Sequence, residues 1–132
     1  RGGEAARSPG DDLALARAMV RDFVEFSARR PELHRIIMQE SKTDGPRMDH
    51  LVDHHIRPLY ESTVGLFRRL VDAGAVAPIP PEHFYYLLTG AGPTMFVLAP
   101  EARRLTGIEP TDDDVIAAHA DAVCLLLFGP AA

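Results

Sequence analysis

VIAAHADAVCLLLF, residues 115–128, carries only two strongly polar side chains, His119 and Asp121. The rest are Val, Ile, Ala, Cys, Leu and Phe. A helix that is apolar most of the way round must be covered over most of its circumference. Working outward, the segment from Phe84 to Leu98 is nearly as apolar, with Phe84, Leu87, Leu88, Ala91, Met95 and Leu98 on one helical stripe. A small helical chain has too few elements to cover two such helices. A second copy of the same pair supplies the cover, which predicts a homodimer with a four-helix interface across a two-fold axis. The residues expected in that seam are Phe84, Leu88, Met95, His119, Val123, Leu126 and Leu127. His119 either pairs across the axis or packs on its own subunit. Leaving several Leu or Phe in water instead would forgo about 1.5–3 kcal/mol each and create a solubility problem.

The sequence has 132 residues and a net charge of −5, with 46% hydrophobic and 25% charged residues. This suits one globular domain. The longest apolar run is short of the roughly 18–20 residues that span a bilayer, so no membrane partner is expected. No signal-peptide pattern opens the sequence, and localisation is read as cytoplasmic. Cys124 is the single cysteine, which excludes an intramolecular disulfide, and its position mid-helix reads as a small core hydrophobe. Thirteen Arg stand against one Lys, Lys42, a bias that fits a high-GC bacterial genome. The acidic balance lacks the clustered basic face that nucleic-acid binding needs.

Residues 1–10, RGGEAARSPG, read as a linker, and residues 11–132 as one domain. A first helix is expected from about Asp12 to Arg29, with Leu13, Ala16, Val20, Phe23 and Ser27 on one face and Arg17, Arg21 and Glu25 on the solvent side. Pro31 opens a short second helix to Ser41, with Leu33, Ile36, Ile37 and Glu40 along one side. Pro46 opens a long third helix to Ala73. Pro58 lies inside it and cannot donate to the carbonyl of His54, so a kink is expected there. Gly74 is placed for a left-handed C-cap, with Val76 folding back on Leu70 or Val71. Pro81 and Glu82 open the fourth helix, which Gly90, Gly92 and Pro93 interrupt. A short helical piece between Pro100 and Pro110 follows, and Asp112-Asp113-Asp114 lead into the last helix. The prediction is an all-α bundle of five main helices with that short sixth piece.

The ordered set of Arg30-Pro31-Glu32-Leu33, Gly74 after an apolar stripe, and Leu88-Thr89-Gly90-Ala91-Gly92-Pro93 resembles the C-terminal domain of TetR-family transcriptional regulators, over residues 12–129. The resemblance implies dimerisation through the last two main helices and a pocket for a small hydrophobic or aromatic effector. It also implies control, as a repressor, of an N-terminal helix-turn-helix. That domain is absent from this sequence, so operator DNA is expected as a partner only through the missing domain.

Bundles hold ligands where neighbouring helices leave space, and a Pro-kinked helix beside a Gly-Pro-interrupted one does so. The candidate ligand-binding residues are Phe23, Phe26, His34, Met38, His55, Leu59, Thr63, Tyr86 and Thr89. The competing reading for each is plain core packing. His50, His54 and His55 cluster on the third helix, and His50 and His54 share a face. Metal binding there would need further ligands such as His34, Glu40 or His119, and the plainer reading is a solvated face. No phosphate loop, GxSxG elbow or HExxH pattern occurs, so no catalytic residues, no cofactor and no metal are assigned. The rivals kept open are a helical-bundle metal or catalytic protein using His50, His54 and His55, and a ligand-free oligomerisation module.

Overall fold

The computed structural model describes residues 8–130, which contain helices and no strands. The helices are α1 (Pro9–Arg29), α2 (Pro31–Glu40), α3 (Pro46–Leu51), a π turn (Val52–Ile56), α4 (Arg57–Asp72), α5 (Pro81–Ala91), the single turn α6 (Thr94–Val97), α7 (Ala99–Thr106) and α8 (Asp113–Phe128). Most of the expected linker lies outside the described residues. Its last three residues already belong to α1 and its cap. Ser8 Oγ accepts from the Asp11 N–H, the Asp11 carboxylate accepts from the Ser8 N–H, and Pro9 takes the first helical position. This capping box starts the helix three residues before Asp12.

The long third helix is continuous but changes its hydrogen bonding in the middle. Pro58 has no N–H for the His54 carbonyl, and the turn just before it is π-helical, with Arg57 N–H reaching back to Val52 O. The expected kink thus takes the form of one widened turn, a common way for a helix to absorb a local fault. Beyond α4, Gly74 is left-handed at φ 71°, and the Ala75 N–H closes on Leu70 O at 2.9 Å. Val76 packs against the core from there, as the capping geometry predicts.

α1 is the hub. It packs on α8, α4, α2 and α6, and its longest contact is with α8. Val24 of α1 and Leu70 of α4 are fully buried, and Phe67 and Phe84 stack with ring centroids 3.7 Å apart. The inner side of α8 carries Ile116, Ala120, Val123, Cys124, Leu127 and Phe128, all buried within the subunit.

Several surface assignments change. Arg17 does not simply face solvent: its guanidinium donates to the carbonyls of Gly129 and Pro130 and lies over the Phe128 ring at 5.8 Å. It thereby satisfies carbonyls at the C-terminal end of α8, where a cation is favoured by the helix dipole. Phe84 to Leu98 is not one stripe, because α5 ends at Ala91 and the chain turns at Gly92-Pro93; Leu87 and Leu98 end up exposed. The apolar side of α2 is only partly covered: Leu33 is half-buried, but Ile36 is 58% exposed and Ile37 39%.

Candidate functional site

The inward stripes of α1, α4 and α5 meet around a cavity of about 60 Å³. From α1 come Ala16, Met19, Val20 and Phe23. Leu59, Thr63, Leu66, Phe67 and Leu70 come from α4, Phe84, Tyr85, Leu88 and Thr89 from α5, and Phe128 of α8 completes the wall. The three- and four-residue spacings on each helix explain why these side chains converge. None of the wall residues is charged.

Of the residues singled out from sequence, the structure brings Phe23, Leu59, Thr63 and Thr89 together in this wall. Tyr86 lies outside it, at 69% exposed. Phe84 and Leu88 point inward, so the flank next to the cavity is Tyr85 and Thr89, and Tyr86 is turned about 100° further round. Phe26, Met38 and His55 also lie outside the wall, on exposed faces. Met19, Val20 and Tyr85 were missed. Their signal in the sequence is the continuation of the inward stripe from Ala16 and Phe84.

His34 sits beside the cavity wall, not in it. Its Nε2 lies 3.0 Å from Ser27 Oγ. Ser27 is fully buried and its hydroxyl donates to the Phe23 carbonyl at 2.7 Å. With that proton committed, the serine oxygen accepts from His34 Nε2–H. Phe23 and Phe26 meet the imidazole edge-on, at 5.5 and 6.1 Å between centroids. Burial holds the His34 imidazole below its ordinary pKa. The pair therefore joins α2 to α1 directly behind Phe23.

The remaining histidines are placed differently. His50 and His54 stack at 4.1 Å between centroids, and His54 Nδ1 lies 3.0 Å from the carbonyl oxygen of His50. His55 is 6.0 Å from His50. Glu40 is engaged with Arg47 at 2.8 Å. Among the described residues no group of three or more His, Cys, Asp or Glu is arranged to hold a metal ion.

The residues expected in a dimer seam divide into two sets. Phe84, Leu88, Val123 and Leu127 are buried inside their own subunit, between α5, α8 and α1. They are core because α1 covers the side of α8 that sequence alone left uncovered. Met95 is half-buried, and His119 Nε2 donates to the Ala91 carbonyl at 2.8 Å, tying α8 to the end of α5. Leu126 is free of the core at 74% exposed, and with Leu125 at 56% it lies on the outer side of α8 beside Ala118 and Ala122. Leu87 and Gly90 are exposed on α5.

No helix among the described residues is long and apolar enough to cross a membrane. No curated protein and no solved structure matches the chain. The family described as YcdC-like protein, C-terminal region, matches residues 4–129, nearly the whole sequence. This all-α chain therefore belongs to that family, one of the TetR-type C-terminal domains.

Proposed function

We propose that the chain is the effector-sensing and dimerising half of a TetR-like transcriptional repressor, taking a small hydrophobic or aromatic ligand between α1, α4 and α5. The observation that carries this is the cavity. It is apolar and bounded by α1, α4 and α5 with Phe128 of α8, and one wall residue, Phe23, packs against Gly92 at the break after α5. Close-packed interiors hold few voids larger than a water molecule. Membership of a regulator family gives such a void a purpose.

At about 60 Å³ the cavity is small. Ligand pockets run to about 300–1,000 Å³, so binding shifts the helices toward a more open arrangement. Any ligand that favours one arrangement over the other acts on whatever DNA-binding head is attached.

We place the seam of the proposed dimer on a different face. The outer side of α5 and α8, with Leu87, Gly90, Ala118, Ala122, Leu125 and Leu126, is apolar and has small residues that let helices approach. A second copy of that face would cover it in a four-helix arrangement.

A thermal-shift screen of the chain against hydrophobic aromatic compounds tests the ligand. A compound at 100 times its Kd adds about 2.7 kcal/mol and raises the Tm by several degrees. No shift from any compound at saturation would leave a ligand-free oligomerisation module as the better reading.

A further inference from the structure

We infer that the cavity selects a neutral, mainly apolar molecule bearing one hydrogen-bonding group, which the hydroxyls of Thr63 and Tyr85 hold, and that the molecule enters past Leu59. This rests on the effector-sensing reading and adds the chemical class and the contact residues.

Charge is excluded first. The wall contains no Lys, Arg, His, Asp or Glu. A charged group there would lose its water with nothing to replace it, and such transfers are strongly unfavourable. The wall surface is almost wholly hydrocarbon, but three of its residues, Thr63, Tyr85 and Thr89, carry a hydroxyl. Thr89 is occupied: its Oγ1 donates to the Tyr85 carbonyl at 3.0 Å, the usual resort of a threonine inside a helix. Thr63, also mid-helix, makes no such bond, and neither does the Tyr85 hydroxyl have a hydrogen-bond partner among the described residues. Both residues are only 8% exposed. Among the described residues every sealed side-chain oxygen or nitrogen has a partner, so these two oxygens are not fully sealed. Residues this deep with hydroxyls left over are what a polar head group needs, and a hydroxyl can donate to it or accept from it.

The entrance follows from size. A dry apolar cavity of about 150 Å³ takes up benzene, and this one, at about 60 Å³, does not reach that. Leu59 is the loose wall residue, 48% exposed and one turn beyond the π segment. Turning it outward enlarges the cavity while the fully buried side, Phe67 and Leu70, stays in place.

The test uses three probes of one shape, toluene, 4-methylphenol and 4-methylbenzoate, titrated calorimetrically into the chain at neutral pH. The expected result is that 4-methylphenol binds about two- to tenfold tighter than toluene, the range one hydrogen bond supplies, and that 4-methylbenzoate does not bind. In Thr63→Val/Tyr85→Phe the preference disappears while toluene affinity stays within about twofold. Thr63→Ser, which restores a hydroxyl, keeps the preference in an otherwise wild-type chain and shows that the site is still folded. Equal affinities for toluene and 4-methylphenol, a preference that survives the double substitution, or binding of 4-methylbenzoate would overturn the inference and leave the effector reading standing. Failure of all three probes to bind would remove both.

Discussion

Phe23 lies against the bare Cα of Gly92: a Cβ built on that glycine would stand 2.7 Å from Phe23 Cε2 and 3.1 Å from the Leu88 carbonyl oxygen. The break between α5 and α6 is therefore also a packing site, and it holds in place an aromatic ring of the cavity wall. Gly92→Ala is expected to push the ring toward the cavity and to destabilise the fold by about 1–3 kcal/mol, as overpacking does. Gly65 is the control. It lies inside α4 with nothing within 4 Å of a built Cβ, so Gly65→Ala should stabilise by about 0.5–1 kcal/mol. Urea unfolding of the two variants checks both signs.

Leu59 and Leu70 line the same cavity with opposite costs. Leu70 is fully buried, so Leu70→Ala should lose about 2–5 kcal/mol. Leu59 is half exposed, and Leu59→Ala should lose about 1 kcal/mol or less while admitting 4-methylphenol more tightly than the wild type. Denaturation and calorimetry on the pair separate a wall residue from a gate.

His34 makes stability depend on pH in a stated direction. Burial lowers its folded pKa below the ordinary value near 6.5. The unfolded chain therefore takes up the proton first as the pH falls. The contribution of the Ser27–His34 contact is complete above about pH 6.5 and declines below it, until the folded pKa is passed. A Tm profile between pH 7.5 and 5 should show this decline, and His34→Gln should flatten it. A profile equally steep in both proteins would contradict the assignment.

Glu109 gives the opposite case. Arg103 Nε at 2.6 Å, together with the hydroxyl and N–H of Thr111, holds its carboxyl down to about 2. Its contribution to the turn between α7 and α8 is present above the unfolded value near 4.5 and lost as the pH falls toward 2. A carboxyl NMR titration should place Glu109 well below the exposed carboxylates, and Arg103→Ala should return it toward them.

A charge at Leu126 and a charge at Val123 should behave differently. Val123, at 3% exposed, is in the core of its own subunit, so Val123→Glu should unfold the chain. Leu126→Glu leaves the fold intact and should convert a dimer to monomers in sedimentation at micromolar concentration. A Leu126→Glu protein that stays dimeric would move the seam away from the outer side of α8.

The helices themselves were legible because their signals are local. Pro31, Pro46 and Pro81 open helices, and Gly74 closes one, through backbone terms that no distant contact reverses. The start of α1 was missed because Ser8-Pro9-Gly10-Asp11 has linker composition, and the capping box outweighed it. Four of the fourteen residues of the cavity wall, Phe23, Leu59, Thr63 and Thr89, were legible as ligand candidates from helical spacing. Tyr85 and Tyr86 could not be told apart, since a shift of one residue decides which side a helical side chain faces, and that depends on where the neighbouring helix lies.

The sequence by itself determined that the chain is all helix, where its main breaks fall, and that its last helix is apolar on nearly every side. Only the tertiary structure decided which side of α8 α1 covers, and hence that Val123 and Leu127 are core while Leu125 and Leu126 face outward. The hydrophobic effect is non-directional. A helix that is apolar almost all the way round carries no instruction about its own inward face, so its partners supply it.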